Sequence, residues 1–194
     1  MRGVPASLVI PLAVLTLAVP PAHGQAPPAT SGSSLEAGAR VGRLRGTTEA
    51  FWGGAALLHP NERLSIGGGG WLLMGRSAVT SAGLGSDLEL TFGYGGAIVD
   101  VLLHESSETR VSVRTLLGAG NAKVLVPVVG SEIGADNFGV VEPSLDVSRA
   151  LSGWLSLKAA ASFRFVYAVE DLHQVLSKDL QGVSLSVSLG VHRR

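Results

Sequence analysis

The stretch from Val183 to His192 constrains the fold of this chain more than any other part of it. Val183, Leu185, Val187, Leu189 and Val191 alternate with Ser184, Ser186, Ser188, Gly190 and His192. Side chains of a strand point to opposite faces with period two, so this segment has one apolar face and one polar face. The same pattern recurs upstream. Val111, Val113, Thr115, Leu117 and Ala119 oppose Arg110, Ser112 and Arg114. Val141, Pro143, Leu145 and Val147 oppose Glu142, Ser144, Asp146 and Ser148. Leu155, Leu157, Ala159, Ala161, Phe163, Phe165 and Tyr167 oppose Ser156, Lys158, Ser162 and Arg164.

Eight strands follow from this reading: Leu35–Arg43, Thr48–Leu58, Arg63–Met74, Leu88–His104, Thr109–Gly120, Phe138–Arg149, Trp154–Tyr167 and Val183–His192. Their connections sort by length. His59–Glu62, Glu105–Glu108 and Ala150–Gly153 are tight turns. Residues 75–87, 121–137 and 168–182 form much longer connections at the other end. The short first connection, Leu44–Thr47, is the exception. Short turns at one end and long loops at the other characterise outer-membrane barrels, whose turns face the periplasm.

The amino terminus supports export. Met1-Arg2-Gly3 precedes an apolar run from Ala6 to Val19, and Ala22 and Gly24 are small residues at −3 and −1 of a cleavage site after Gly24. Residues 1–24 are expected to be a cleaved signal, 25–34 a flexible leader rich in Pro, Ala, Ser and Gly, and 35–194 the barrel. Charged residues make up 15% of the chain, against ~25% in a soluble domain. Mean hydropathy is positive, yet no segment after the signal is an uninterrupted apolar span. High hydrophobicity without a spanning helix fits a barrel with a lipid-facing exterior. The formal net charge of zero argues against a nucleic-acid surface. Absence of cysteine excludes thiolate metal sites and cysteine nucleophiles.

Glycine and aromatic motifs recur in order along the chain: Phe51-Trp52-Gly53-Gly54, Ile66–Trp71, Phe92–Gly96, Leu116–Gly120, Phe138–Pro143, Ser162–Tyr167 and Leu180-Gln181-Gly182. In these the chain resembles a family of small bacterial outer-membrane β-barrel proteins. The resemblance implies an all-β, eight-stranded antiparallel meander transmembrane β-barrel, and it implies no activity. Such barrels usually end on an aromatic residue; here the last residues are Val191-His192-Arg193-Arg194.

The inward set by alternation is Glu36, Arg40, Arg110, Arg114, Glu142, Asp146, Lys158, Arg164 and His192. An eight-stranded barrel is filled by its own side chains, so inward charges have to pair. Glu142 and Asp146 are expected to pair with some of Arg110, Arg114, Lys158 and Arg164. Asp100 shares the parity of Leu88, Leu90, Phe92 and Ile98, which are read as outward. That requires a bulge after Gly96 or a place at the periplasmic rim. Arg149, also out of phase, is read as snorkelling beside a turn. Glu142 and Asp146 lie ~13 Å apart along one strand, too far for a glycosidase pair at ~5–9.5 Å. His104-Glu105-Ser106 is read as a polar turn, the scattered histidines show no metal spacing, and Gly67–Gly70 lacks the lysine and helix of a phosphate loop. Val169–Leu180 is read as an external loop with a helical turn.

The functional expectation is a non-enzymatic outer-membrane barrel with a structural or surface-interaction role, a lumen filled by ion pairs, and no cofactor. Its expected partners are outer-membrane lipids, the barrel-insertion machinery and a ligand at external loops 75–87, 121–137 and 168–182, with no nucleic acid. Two alternatives stand beside it. A lipid-modifying barrel enzyme needs a clustered His/Ser/acid site near a rim. A soluble lipocalin-like carrier needs the apolar faces inside.

Overall fold

A computed structural model describes residues 32–79, 88–126, 131–169 and 175–193. The strands are β1 (Gly32–Leu44), β2 (Thr47–His59), β3 (Leu64–Leu73), β4 (Ser77–Val79), β5 (Leu88–Glu105), β6 (Thr109–Val126), β7 (Ser131–Ala150), β8 (Leu155–Tyr167) and β9 (Gly182–Arg193). One helical turn, α1 (Ser177–Leu180), precedes β9. Each strand pairs antiparallel with its neighbour, and β9 pairs with β1. Both β3 and β4 lie against β5, as one stave interrupted near Gly75, whose φ is +89°. The result is a closed antiparallel barrel of eight staves, which leaves no open sheet edge around its girth.

Local chemistry sets the turns. Arg45 and Gly46 both have positive φ (52° and 80°), the geometry that two-residue hairpins favour. In the turn after β2, Asn61 Oδ1 accepts from the amides of Arg63 and Leu64 at 2.9 and 2.8 Å, which substitutes for a backbone turn. The tight turns after β2, β5 and β7 lie at the same end as Gly32 and Arg193, as the sorting of connections requires.

Apolar side chains cover the exterior. Leu35, Trp52, Leu58, Leu103, Leu145, Val183, Val187 and Leu189 are among many exposed large hydrophobics. The 13-residue β8, at ~3.3 Å per residue and a tilt of ~40°, rises ~30 Å, enough for the ~25 Å apolar band of such barrels. A carrier with its apolar faces turned inward would show the reverse pattern.

Three expectations change. First, β6 reaches Val126 and β7 starts at Ser131, so most of 121–137 is a two-stranded extension of the barrel rather than a loop. Ala122 and Val124 of that extension are fully buried on its inner side, and Asn121 Nδ2 donates to Asn137 Oδ1 at 3.1 Å across it. Residues 80–87 and 170–174, within the other two expected loops, lie outside the described residues.

Second, β5 has the opposite face inward from the one expected. Leu88, Leu90, Phe92, Tyr94, Ile98 and Asp100 all point into the barrel, while Val99, Val101 and Leu103 point out. The register runs unbroken past Gly96, and its one shift falls between Leu102 and His104. Asp100 therefore needs neither a bulge nor the rim. It is an interior residue.

Third, the buried carboxylates are confined to the half of the interior nearer the tight turns. Towards the opposite end it is an apolar plug of Leu44, Phe51, Leu90, Phe92, Phe138, Val140 and Val166. Phe138 stacks on Phe92 with ring centroids 5.1 Å apart, and Phe51 meets Phe92 edge-on at 6.2 Å. Gly120 makes room for this stack: a Cβ there would lie 2.3 Å from Phe138 Cζ. Val175 and Leu180 close the plug from above.

Candidate functional site

The polar interior is built in layers, each strand contributing its inward residue at a given height. Uppermost, within the plug itself, is Arg164, fully buried on β8. Its Nε donates to the carbonyl of Leu180 at 2.8 Å and its Nη2 to that of Arg43 at 3.0 Å. Its guanidinium lies 4.8–5.4 Å from the ring centres of Phe92, Phe51 and Tyr94. No carboxylate among the described residues pairs with it. It ties α1 and the end of β1 to the barrel wall by charge-assisted hydrogen bonds.

The next layer is Arg40, Tyr94 and Glu142. Arg40 Nη2 contacts Glu142 Oε1 at 2.5 Å, and Arg40 Nη1 donates to the Tyr94 hydroxyl at 2.5 Å. That hydroxyl donates in turn to the Glu142 carboxylate. The Arg40 guanidinium stacks 3.9 Å from the Trp71 ring, a cation–π contact strengthened by burial.

Below it lies a cluster of five charges. Arg114 grips Glu36 with both terminal nitrogens, at 2.8 and 3.0 Å. It also reaches Asp100 at 2.8 Å and Asp146 at 3.2 Å. Lys158 contacts Glu36 at 2.5 Å and approaches Asp146 at 3.7 Å and Asp100 at 4.0 Å. The planar fork of arginine suits such bridging of several carboxylates. Across the layers the four bases Arg40, Arg114, Lys158 and Arg164 equal in number the four acids Glu36, Asp100, Glu142 and Asp146.

The mouth at the tight-turn end holds a cavity of about 120 Å³. There, both nitrogens of His59 hydrogen-bond to serine hydroxyls, Ser65 at 2.7 Å and Ser34 at 2.9 Å. His192 Nε2 bonds Ser156 at 2.8 Å.

Of the six residues singled out for the ion-pair network, Arg114, Asp146 and Lys158 come together. Glu142 pairs instead with Arg40, because at its height on β7 the facing inward residue is on β1. Arg110 stays at the mouth, 3.4 Å from Glu105 and donating to the Glu62 carbonyl. Arg164 lies among carbonyls and rings. Glu36, inward by alternation, turns out to be the principal acceptor for both Arg114 and Lys158. Asp100, Tyr94 and Trp71 were missed. Asp100 itself was the signal, since a lone acid on an apolar strand face marks the lumen side. Arg149 meets Glu108 of the β5–β6 turn at 2.7 Å. Ser106 bonds Thr109 within that turn.

A closed eight-stranded barrel with an apolar exterior and a charged interior defines a small β-barrel of the outer-membrane type. Solved structures bear this out. The attachment invasion locus protein Ail of Yersinia pestis superposes with a TM-score of 0.56 at 11% identity, over 85% of this chain and 100% of Ail. Ail in complex with the heparin analogue sucrose octasulfate gives 0.58 at 10% identity, over 85% and 100%. Neisserial surface protein A gives 0.57 at 13% identity, over 83% and 96%. At such identities the likeness is one of fold. No family model and no curated protein matches the chain.

Proposed function

We propose that this chain is a surface protein of the bacterial outer membrane, exported by a cleaved signal at 1–24, that acts through its external parts and not through its lumen. In this reading the barrel spans the membrane with both termini in the periplasm, and insertion machinery places it there. It is held by lipid on its apolar exterior and performs no catalysis. Recognition falls to the external end, where β7 runs on past Gly139, its last pairing position with β8, and pairs there with β6, which pairs with the start of β5.

The observation that carries the reading is the stacked closure of the lumen. The Glu36–Asp100–Arg114–Asp146–Lys158 cluster lies under Arg40–Tyr94–Glu142, and both lie under an aromatic plug. Among the described residues the space within the ionic layers is a void of only about 40 Å³, so transport through the barrel is not what this interior supports. The structural likeness to an attachment and invasion protein and to a surface protein adds support. Two experiments test it. Fractionation should put the unboiled, heat-modifiable protein in the outer membrane. Reconstitution into planar bilayers should give no stable conductance. A steady ohmic channel would overturn the closed-lumen reading, and recovery in the soluble fraction would overturn the location.

A further inference from the structure

The lipid-facing wall is not uniformly covered. Leu145, Ala161, Leu185 and Val41 form one hydrogen-bonded row across β7, β8, β9 and β1. Ala161 is its only small member, and a groove of about 700 Å³ opens over it. The row above contributes Phe163 and Val183 to one wall and ends on Arg43 and Thr48, which face each other at the external end of β1 and β2. The floor is thin, formed by the backbone of small inward residues such as Gly42, Ser162 and Ser184. At the β7 end the ladder to β8 skips Glu142 and Pro143; proline has no amide hydrogen to donate. The groove is therefore apolar along its length, open to the membrane side, and headed by one exposed cation towards the external leaflet.

We propose that this groove is a binding site for a phosphorylated acyl lipid of the external leaflet, one acyl chain lying over Ala161 and the phosphate meeting Arg43. The proposal rests on the membrane orientation argued above. Its volume falls within the ~300–1,000 Å³ of ordinary ligand sites. The occupant is lipid because the groove lies on the membrane-facing wall. It is anionic because the charge at the external lip is positive and no acid lines the groove.

The test is native mass spectrometry of the folded, full-length mature protein. It is stripped of detergent after incubation with dimyristoyl phosphatidic acid or, as the zwitterionic control, dimyristoyl phosphatidylcholine. Wild type should retain one phosphatidic acid in preference to phosphatidylcholine. Arg43→Glu should lower phosphatidic acid retention by about fivefold or more, the scale of one cationic contact at a membrane surface. Ala161→Phe should fill the groove and abolish retention of both lipids. Ala119→Phe, an outward position on β6, should match wild type. Equal retention by all four proteins overturns the proposal, as does a dimer that Ala161→Phe dissolves, since the groove would then seat a second copy. Failure of the wild type to enter bilayers as a heat-modifiable barrel overturns the membrane reading itself. A barrel that inserts but is indifferent to Ala161→Phe overturns only the groove.

Discussion

Replacing Arg114 by methionine puts the ionic closure under direct stress. Arg114 is mostly buried, with 13% of its side chain exposed, and it bridges Glu36, Asp100 and Asp146 at 2.8–3.2 Å. Methionine keeps much of the volume and removes the charge. Three carboxylates would then face Lys158 alone. Removing one partner of a buried ion pair costs ~3–5 kcal/mol, because the remaining charge is stranded away from water. That is roughly 10²- to 4 × 10³-fold in the unfolding equilibrium, at ~1.4 kcal/mol per decade. The assay is urea unfolding of the barrel in lipid vesicles, followed by gel mobility of unboiled samples and by tryptophan fluorescence. Arg149→Met is the internal control. Its pair with Glu108 at 2.7 Å is about one-third exposed on each side, and such surface pairs contribute only ~0–1 kcal/mol. If Arg114→Met and Arg149→Met lose the same small amount, the interior is hydrated like an open pore and the closure argument fails.

Other expectations follow from single contacts. Asp100→Asn should change stability by less than ~1 kcal/mol, because the five-charge cluster holds one acid more than it has bases and the amide keeps an acceptor for Arg114; a loss as large as that of Arg114→Met would contradict this. Gly120→Ala should cost ~1–3 kcal/mol by forcing Phe138 off its stack and crowding the Gly93 carbonyl, each within 2.5 Å of the new Cβ; Phe138→Ala in the same chain should relieve only part of that cost, as a double-mutant cycle would reveal. Arg164→Met removes the donors to the Leu180 and Arg43 carbonyls, so the Arg45 amide, bonded to Asp179 O at 2.6 Å, should exchange with deuterium faster while the amides of β6 and β7 in the ionic half do not.

Alternation made the fold legible where charge fell on one face only. Arg110, Ser112 and Arg114, or Lys158, Ser162 and Arg164, leave no doubt about which side is polar, and β6, β7, β8 and β9 have the orientations read from them. In β5 both faces are apolar over most of the strand. Leu90, Phe92 and Ile98 oppose Gly93, Gly95, Val99 and Val101, so periodicity fixes a period but no side. In β5 the aromatic residues lie inward, where Phe92 packs on Phe51 and Phe138 and Tyr94 bonds Arg40, and glycine and valine fill much of the outer face. In the sequence the 121–137 segment reads as a long connection between two patterned strands. Pairing with a neighbour carried β6 and β7 through it, a tertiary effect that local propensity does not record. The partners within the lumen were beyond reach for a similar reason. Which acid meets which base depends on height in the barrel, set by strand stagger, and Glu142 finds Arg40 although the two lie far apart in sequence.

Orientation is the central claim, and the tryptophans offer the most direct measurement of it. Trp52 is 55% exposed on the outer face of β2, whereas Trp71 on β3 points inward beneath the Arg40 guanidinium. Single-tryptophan variants reconstituted in vesicles of brominated phosphatidylcholine would report which ring touches acyl chains. Strong quenching of Trp52 with little quenching of Trp71 is the expected result. Quenching of Trp71 but not Trp52 would mean that the wall is turned inside out, and the ionic interior would have no place in the membrane.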